Sequence, residues 1–413
     1  MKKILYVLHS GMTGGSFFTT KDLMSNIDDE YEIYLLSGEN DSLRLYEFLN
    51  NDFRLIKKYP RHYKTDNPTS ENMKWSAKEF HNSWLTYIYF DILTKYDIDL
   101  VHIMHLINHS FDLPAIAKKL DIPTVLSIHD FYYLCPFYTL LDENKKYCGG
   151  VCKNNNENCY IPMDSLNDIN SKEFIGKWRE NVLRMFESVD TFISTSNIIK
   201  ELFISTYPQI KPETFKIIEH GRDLAKIEDQ CYEVPVKNEP IKILCFANHL
   251  NEMKGSEVIK NIKREDKNNL IEFHFLGNCY GIDECGTNHG RFERQDFPKK
   301  VREIKPSFVG IFSIWPETYC YAITESWICG IPVLGSNIGV VEDRVLKNNG
   351  GWIIDINNPK KTYEQIIEIS NNPQEYSEVT DNINRMNFKS TREMAGEYKD
   401  IYNKFLKGEP VER

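Results

Sequence analysis

The sequence predicts an α/β protein built from two doubly wound parallel sheets in series, and three observations carry that expectation. Short apolar runs bounded by turns alternate with helical segments along almost the whole chain. The alternation lapses once, into a polar stretch from Asp229 to Pro240 containing Pro235, Asn238 and Pro240, and then resumes. No internal repeat with a period of roughly 20–50 residues is present, which removes solenoids and propellers.

The elements follow in order. The first half reads as strand Ile4–Leu8, a helix from about Phe17, strand Ile33–Leu36, an aromatic helix Phe80–Tyr96, strand Leu100–Met104, helix Leu113–Leu120 and strand Pro123–His129. Helix Glu173–Phe186, strand Thr191–Ser194, helix Ile198–Thr206 and strand Phe215–Ile218 complete it. Between them, Tyr59 to Trp75 reads as a long loop. The second half repeats the pattern: strand Ile241–Ala247, helix Ser256–Ile262, strand Ile271–Leu276, helix Pro298–Ile304, strand Val309–Phe312, helix Cys320–Cys329, strand Pro332–Gly335 and helix Lys361–Ile369. The expected domains are 1–230 and 231–413, with the final helix packing back on the first. Open parallel sheets bind ligands beyond the carboxyl ends of their strands, so two of them in series imply a shared site in a cleft.

Composition narrows the functions open to such a fold. The 413 residues are 41% hydrophobic and 27% charged, enough apolar surface for ordinary cores. Fifty Lys and Arg against 60 Asp and Glu give a net charge of −10, the wrong sign for a nucleic-acid partner. The basic group Lys57, Lys58, Arg61 and Lys64 reads as a solvated loop. The run Ile4–Leu8 after Met1-Lys2-Lys3 is too short for a signal peptide, and Trp84–Leu93, interrupted by Asp91, is too short to span a bilayer. A cytoplasmic protein is expected, with any membrane association peripheral, at the inner face.

Four segments bear chemistry. The first strand opens into Ser10-Gly11-Met12-Thr13-Gly14-Gly15-Ser16 and a helix, which aims backbone amides at whatever binds there. The spacing does not fit a dinucleotide-binding G-x-G-x-x-G, and a plain tight turn remains as good a reading as a phosphate loop. Strand Pro123–Ile128 ends in His129-Asp130, an imidazole and a carboxylate where such a sheet presents ligand contacts. In the second half, Lys254-Gly255 precedes a helix N-terminus, where an ammonium and free amides can share one phosphate.

The sharpest signal is Trp315-Pro316-Glu317-Thr318-Tyr319-Cys320-Tyr321-Ala322-Ile323-Thr324-Glu325, followed by Gly330-Ile331-Pro332-Val333. The two glutamates follow a strand and enter a helix, where eight steps of ~100° leave them about 80° apart and ~12 Å along its axis, too far to share a proton. They are expected to contact different parts of one long ligand. Two-carboxylate glycosidase chemistry is a poor fit, since retaining glycosidases need a separation of ~5 Å.

Taken in order, the Gly-rich first loop, His129-Asp130, Lys254-Gly255 and Glu317-x7-Glu325 followed by Gly-x-Pro-Val resemble the family 4 glycosyltransferases of the GT-B fold, over nearly the whole chain. Finer details are most similar to bacterial polysaccharide and O-antigen sugar transferases: His129-Asp130-Phe131, Leu134-Cys135-Pro136, Tyr147-Cys148-Gly149, His289-Gly290-Arg291-Phe292 and Ser313 to Tyr319. The resemblance implies two Rossmann-like domains facing across a cleft. It also implies a metal-independent, retaining transfer of a hexose from a UDP-, GDP- or dTDP-linked donor to a saccharide or lipid-linked saccharide.

Carried onto this chain, the resemblance makes His129, Lys254 and Glu317 the catalytic residues. Glu325 would hold the ribose hydroxyls. Glu317 and the amides of Tyr319, Cys320 and Tyr321, with Thr318 beside them, would address the donor sugar, and Lys254 the diphosphate. Gly14 and Gly15 would approach the diphosphate or the reacting carbon, and Arg291 and Phe292 the base. One position departs from the family pattern: His249 stands where an Arg is common, five residues before Lys254. Diphosphate support is then sought from Arg222 or Arg291. A non-catalytic partner subunit, a sugar-nucleotide epimerase and a phosphorylase of the same fold are the alternatives.

The ten cysteines cluster unevenly, with Cys135, Cys148, Cys152 and Cys159 inside one loop-rich segment. Four thiols could order it around a structural zinc, although the spacing lacks paired C-x2-C knuckles, and free thiols are the alternative. No cofactor is expected to be needed for catalysis.

Overall fold

The computed structural model describes residues 1–9, 14–39, 41–61, 80–142, 144–150, 171–225 and 231–407, without the side chains of 171–174. The chain divides into two compact units. One comprises Met1–Asn144, Cys148–Gly221 and Lys389–Arg413, and the other Lys145–Tyr147 and Arg222–Phe388.

The first unit holds β1 (Lys2–Leu8), α1 (Gly15–Met24), β2 (Tyr31–Gly38), β3 (Ser42–Leu49), β4 (Asp52–Pro60), α2 (Ser83–Lys95), β5 (Leu100–Ile103) and α3 (Asp112–Lys119). It continues with β6 (Thr124–Ser127), α4 (Ser171–Phe186), β7 (Thr191–Ser194), α5 (Asn197–Thr206) and β8 (Phe215–Ile217). Its sheet runs β4-β3-β2-β1-β5-β6-β7-β8. Strands β5 to β7, and β1 from Ile4 onward, are buried along their whole length and, His102 apart, mostly apolar or small, the pattern of a parallel sheet covered by helices.

The hairpin β3–β4 is antiparallel and sits at the sheet edge. It was not foreseen: Tyr59 and Pro60 end β4 rather than opening a loop. Residues 62–79 lie outside the described set.

The second unit holds β9 (Ile241–Leu250), α6 (Ser256–Glu265), β10 (Ile271–Cys279), β11 (Gly286–Asn288), α7 (Phe297–Ile304), β12 (Phe308–Ile311) and α8 (Tyr321–Ile328). Then come β13 (Val333–Ser336), α9 (Gly339–Asn348), β14 (Gly351–Ile354), α10 (Pro359–Ser370) and α11 (Pro373–Asn384). Its sheet is entirely parallel in the order β11-β10-β9-β12-β13-β14, so the chain reverses its direction of travel between β9 and β12. That switch point leaves a crevice at the carboxyl ends of the two strands. Both units therefore have the doubly wound parallel architecture expected from the alternation.

The last helix, α12 (Thr391–Leu406), belongs to the first unit. A capping box starts it, with Ser390 and Glu393 each satisfying the other's backbone N–H. Met394, Ala395, Tyr398, Ile401 and Tyr402 recur at helical spacing and are buried with β1 and β2 residues such as Ile4, Tyr6 and Ile33. The Tyr402 hydroxyl lies 3.0 Å from that of Tyr6 and 2.7 Å from His102 Nδ1. Each large side chain so buried contributes about 1.5–3 kcal/mol. No helix among the described residues is long and apolar enough to cross a membrane.

Candidate functional site

The switch point of the second unit is built from two loops, one after β9 and one after β12. The first turns through a short 3-10 segment, Glu252–Lys254, held by the Asn251 side chain accepting from the Lys254 N–H at 3.3 Å. Gly255 then adopts φ +88°, and a Cβ there would be driven onto the Phe312 carbonyl, so only glycine allows the loop to close before α6. The second loop is tied to the first by the Ile314 N–H donating to the Met253 carbonyl at 3.1 Å.

These constraints bring Lys254 and Glu317 together. Lys254 Nζ donates to Glu317 Oε1 at 2.5 Å, and the same oxygen accepts from Ser313 Oγ at 2.7 Å. The ammonium also lies 5.4 Å from the Trp315 ring centroid. Burial alone would depress the Lys254 pKa, but the Glu317 carboxylate outweighs it and holds the group above its ordinary value. Lys254 is therefore a fixed cation at neutral pH.

The stretch from Glu317 to Cys320 is not helical. Glu317 has φ 46° and Cys320 φ 62°, left-handed conformations that side chains with a Cβ adopt only at some strain, and α8 begins at Tyr321. The helical arithmetic for the two glutamates therefore fails, because Glu317 stands in the loop and only Glu325 on the helix. They nonetheless remain separate groups with separate partners.

Arg344, from α9, clamps the loop. Its Nη1 donates to the Tyr319 carbonyl at 2.7 Å and the Cys320 carbonyl at 3.1 Å, while Nη2 reaches Thr324 Oγ1 at 2.8 Å. Its guanidinium lies 4.0 Å from the Tyr319 ring centroid. Gly339, with φ +60°, lets α9 start hard against Pro316, and the Val340 N–H donates to the Pro316 carbonyl at 3.0 Å. Cys320, the residue before the helix, supplies no side-chain cap, so the first-turn amides of α8 remain oriented toward an anion. Burial first, and the nearby Glu317 second, push the Cys320 thiol up to about 12, so it is no nucleophile at neutral pH.

Glu325, about one turn into α8, is buried and ion-paired through Oε1 with Arg222. That arginine stacks its guanidinium on Tyr321, 4.1 Å from the ring centroid. Of the remaining predicted residues, Thr318 and Tyr319 are buried in the same loop.

His249, Arg291 and Phe292 stand at the neighbouring strand ends. His249 is exposed, its Nδ1 3.0 Å from the Tyr280 hydroxyl. Arg291 donates through Nε to Asn278 Oδ1 at 2.7 Å, and Asn278 in turn donates to the Asn248 carbonyl at 3.0 Å. Phe292 packs on Phe297 with centroids 5.7 Å apart and meets Phe246 at 6.2 Å.

In the first unit, Gly14 caps α1 with φ 91°, and a side chain added at Gly14 or Gly15 would meet nothing within 4 Å. Ser10 to Thr13 lie outside the described residues. His129 and Asp130 follow β6 as expected, within an unforeseen cluster of histidines at the carboxyl ends of β1, β5 and β6. Burial first, and His105 second, hold His129 at about 4, so its imidazole is neutral at physiological pH. It stacks with His220 at 5.6 Å.

His105 sits 3.0 Å from Asp130 through Nε2, and its Nδ1 accepts from the Ile107 N–H, which assigns the ring proton to Nε2. Burial would raise Asp130, but His105 and the Tyr132 N–H bring it below the ordinary carboxylate value. His9 completes the group, 4.4 Å from His105 ring to ring.

Cys135 is buried and Cys148 half-buried, while Cys152 and Cys159 lie outside the described residues. Among the described residues, no set of three or more His, Cys, Asp or Glu is placed to hold a metal ion.

Arg344 and the His9–His105 pair escaped sequence reasoning. Arg344 belongs to no motif and acts on backbone carbonyls. The histidines carried a readable signal, since His9 and His105 each stand one or two residues past a strand of a doubly wound sheet.

Comparison with known proteins follows the same division. The profile of Glycosyltransferase Family 4 matches residues 31–226, and that of Glycosyl transferases group 1 matches residues 232–386. No curated protein sequence matches the chain. Among solved structures, HepE from Anabaena in complex with UDP superposes with TM-score 0.62 at 13% identity, covering 98% of this chain and all of that one. Sucrose-phosphate synthase from Thermosynechococcus elongatus gives 0.63 at 13%, covering 99% and 100%. The lipopolysaccharide outer core galactosyltransferase WaaB gives 0.57 at 11%, covering 97% and 99%. With both profiles laid end to end over two doubly wound units, the chain belongs to the GT-B glycosyltransferases.

Proposed function

We propose that the chain transfers a hexose from a nucleotide-sugar donor to a saccharide or lipid-linked saccharide of a bacterial surface polysaccharide, with retention at the anomeric carbon and without a metal ion. The Lys254–Glu317 pair at the β9/β12 switch point, next to the uncapped start of α8, carries this reading. Breaking the anomeric C–O bond sends its electron pair to a phosphate oxygen. A fixed ammonium and preorganised amides stabilise the charge that develops there. The new bond forms from the acceptor oxygen to the same face of the anomeric carbon, and the acceptor's proton passes to the departing phosphate.

The two glutamates have separate tasks. Glu317 orients Lys254 and offers its carboxylate to the donor-sugar hydroxyls, and Glu325 takes the ribose hydroxyls. His129, neutral at working pH, hydrogen-bonds a sugar hydroxyl rather than acting as an acid. Related folds support the donor class: structures of HepE hold UDP and UDP-glucose.

Incubation with UDP-, GDP- and dTDP-sugars, with and without acceptor glycans, tests the reading. One donor is expected to be turned over by the wild type, and Lys254→Ala is expected to lose at least about 100-fold, the scale set by removing one transition-state donor. Unchanged turnover in that variant refutes the mechanism. Conversion of the donor without any acceptor, giving an epimer rather than a glycoside, refutes the transfer.

A further inference from the structure

We propose that Arg222 is a donor-binding residue, whose guanidinium takes an oxygen of the donor diphosphate while Glu325 and Tyr321 hold it in place. The proposal rests on the nucleotide-sugar reading and adds a contact that no motif assigns. A guanidinium carries five N–H donors in a rigid plane. Here Nη2 is bound to Glu325 Oε1, whereas Nε and Nη1 have no hydrogen-bond partner among the described residues, although both are buried. Arg222 as a whole is 8% exposed. Buried donors of a cation are ordinarily satisfied, and those left over mark a place where a ligand or water supplies the acceptor.

Position says which ligand. The guanidinium lies over Tyr321, the first residue of α8, and so stands beside the helix start whose cap residue gives no side-chain bond. A cation next to free helix amides selects an anion, and phosphate oxygens match guanidinium geometry. Two other arginines near the site bind protein groups instead. Arg344 spends both terminal nitrogens on Tyr319, Cys320 and Thr324, and the exposed Arg291 is held by Asn278, while Lys254, paired with Glu317, is the cation already assigned to the phosphate. Arg222 is thus a buried cation of this site with donors to spare. Its bond to one oxygen of Glu325 also fixes the carboxylate assigned to the ribose, so one residue links the two recognition tasks.

The test separates phosphate binding from ribose binding. Dissociation constants of the full chain are measured for UDP, GDP and dTDP and for their nucleosides, and the ratio of nucleoside to nucleoside diphosphate is taken for the pair that binds best. In Arg222→Gln this ratio is expected to fall tenfold or more, whatever happens to the nucleoside itself, and Arg222→Lys is expected to recover part of it. A smaller fall assigns Arg222 to Glu325 alone and overturns the proposal. If Arg222→Gln does not fold, Arg222→Lys decides alone, since lysine lacks the separate Nε and Nη1 donors of the guanidinium plane and the ratio is expected to fall; an unchanged ratio again overturns it. A wild type that binds none of the three diphosphates overturns the nucleotide-sugar reading, an outcome distinct from a wild type that binds and a variant that does not differ.

Discussion

At the scale of single residues, the second unit carries its two site glutamates as halves of two ion pairs, Lys254–Glu317 and Arg222–Glu325. A chain with net charge −10 repels a diphosphate globally, so attraction has to be local. Each pair keeps a cation in place without adding net charge, and a diphosphate can then compete for the ammonium or guanidinium. Gly255 makes the first pair geometrically reachable. Gly255→Ala is expected to destabilise the fold by about 3 kcal/mol or more, because the new methyl must displace the Phe312 carbonyl and the residue is left-handed. A thermal melt within 1 °C or so of wild type would contradict that.

The carboxylate that raises the Lys254 pKa gives a second expectation. Glu317→Gln removes it while burial remains, so the lysine pKa is expected to fall, and turnover to decline at the alkaline end of the pH profile before that of the wild type does.

At the scale of elements, the strand-to-helix loop before α8 stores strain at Glu317 and Cys320, and Arg344 on the next helix is what holds it. Arg344→Met keeps an apolar side chain of similar length but removes the donors and the guanidinium over Tyr319 and Trp327. It is expected to lower stability by about 1.5–3 kcal/mol, the worth of a charged hydrogen bond, and kcat more than KM. A stability change with kcat intact would reduce Arg344 to a structural clamp. The four-thiol segment makes its own prediction: if Cys135, Cys148, Cys152 and Cys159 share a zinc, gently purified protein contains about one zinc per chain, and substoichiometric metal rejects the site.

The elements also show what could be read in advance. Buried parallel strands such as Ile4–Leu8 and Val309–Phe312 announced themselves as apolar runs. The hairpin β3–β4 did not, because its strands alternate polar and apolar residues and include Arg44, Glu47, Arg54 and Lys57. Its signal was Asn50-Asn51, both left-handed, a two-residue turn between alternating runs. The glutamate motif was legible as a pattern but not as a geometry. The backbone leaves the helical region at Glu317 through contacts with Arg344 and Gly339, more than twenty residues away. The Arg222–Glu325 pair spans 103 positions and follows no period.

At the scale of the whole molecule, the two units differ in what they bury. The first holds neutral histidines: His109 is depressed to about 3 by burial, partly offset by its bond to the Leu8 carbonyl, and His129 to about 4. Unfolded histidine titrates near 6.5. As pH falls from about 6.5 toward 4, the unfolded chain therefore takes up protons that the folded unit refuses. Stability is full above that window and is lost within it, by about 1.4 kcal/mol per pH unit for each such residue. Denaturant midpoints measured between pH 7 and 4.5 are expected to fall steeply, and a flat profile would contradict the buried neutral assignment.

The second unit carries the cations and helix amides proposed to hold the donor, so the central claim reduces to whether it binds a nucleoside diphosphate through Lys254. Calorimetric titration of the full chain with UDP, GDP and dTDP measures that most directly. One of the three is predicted to bind, and Lys254→Ala to weaken that binding by at least tenfold. Binding of none, or equal binding by the variant, would contradict the account.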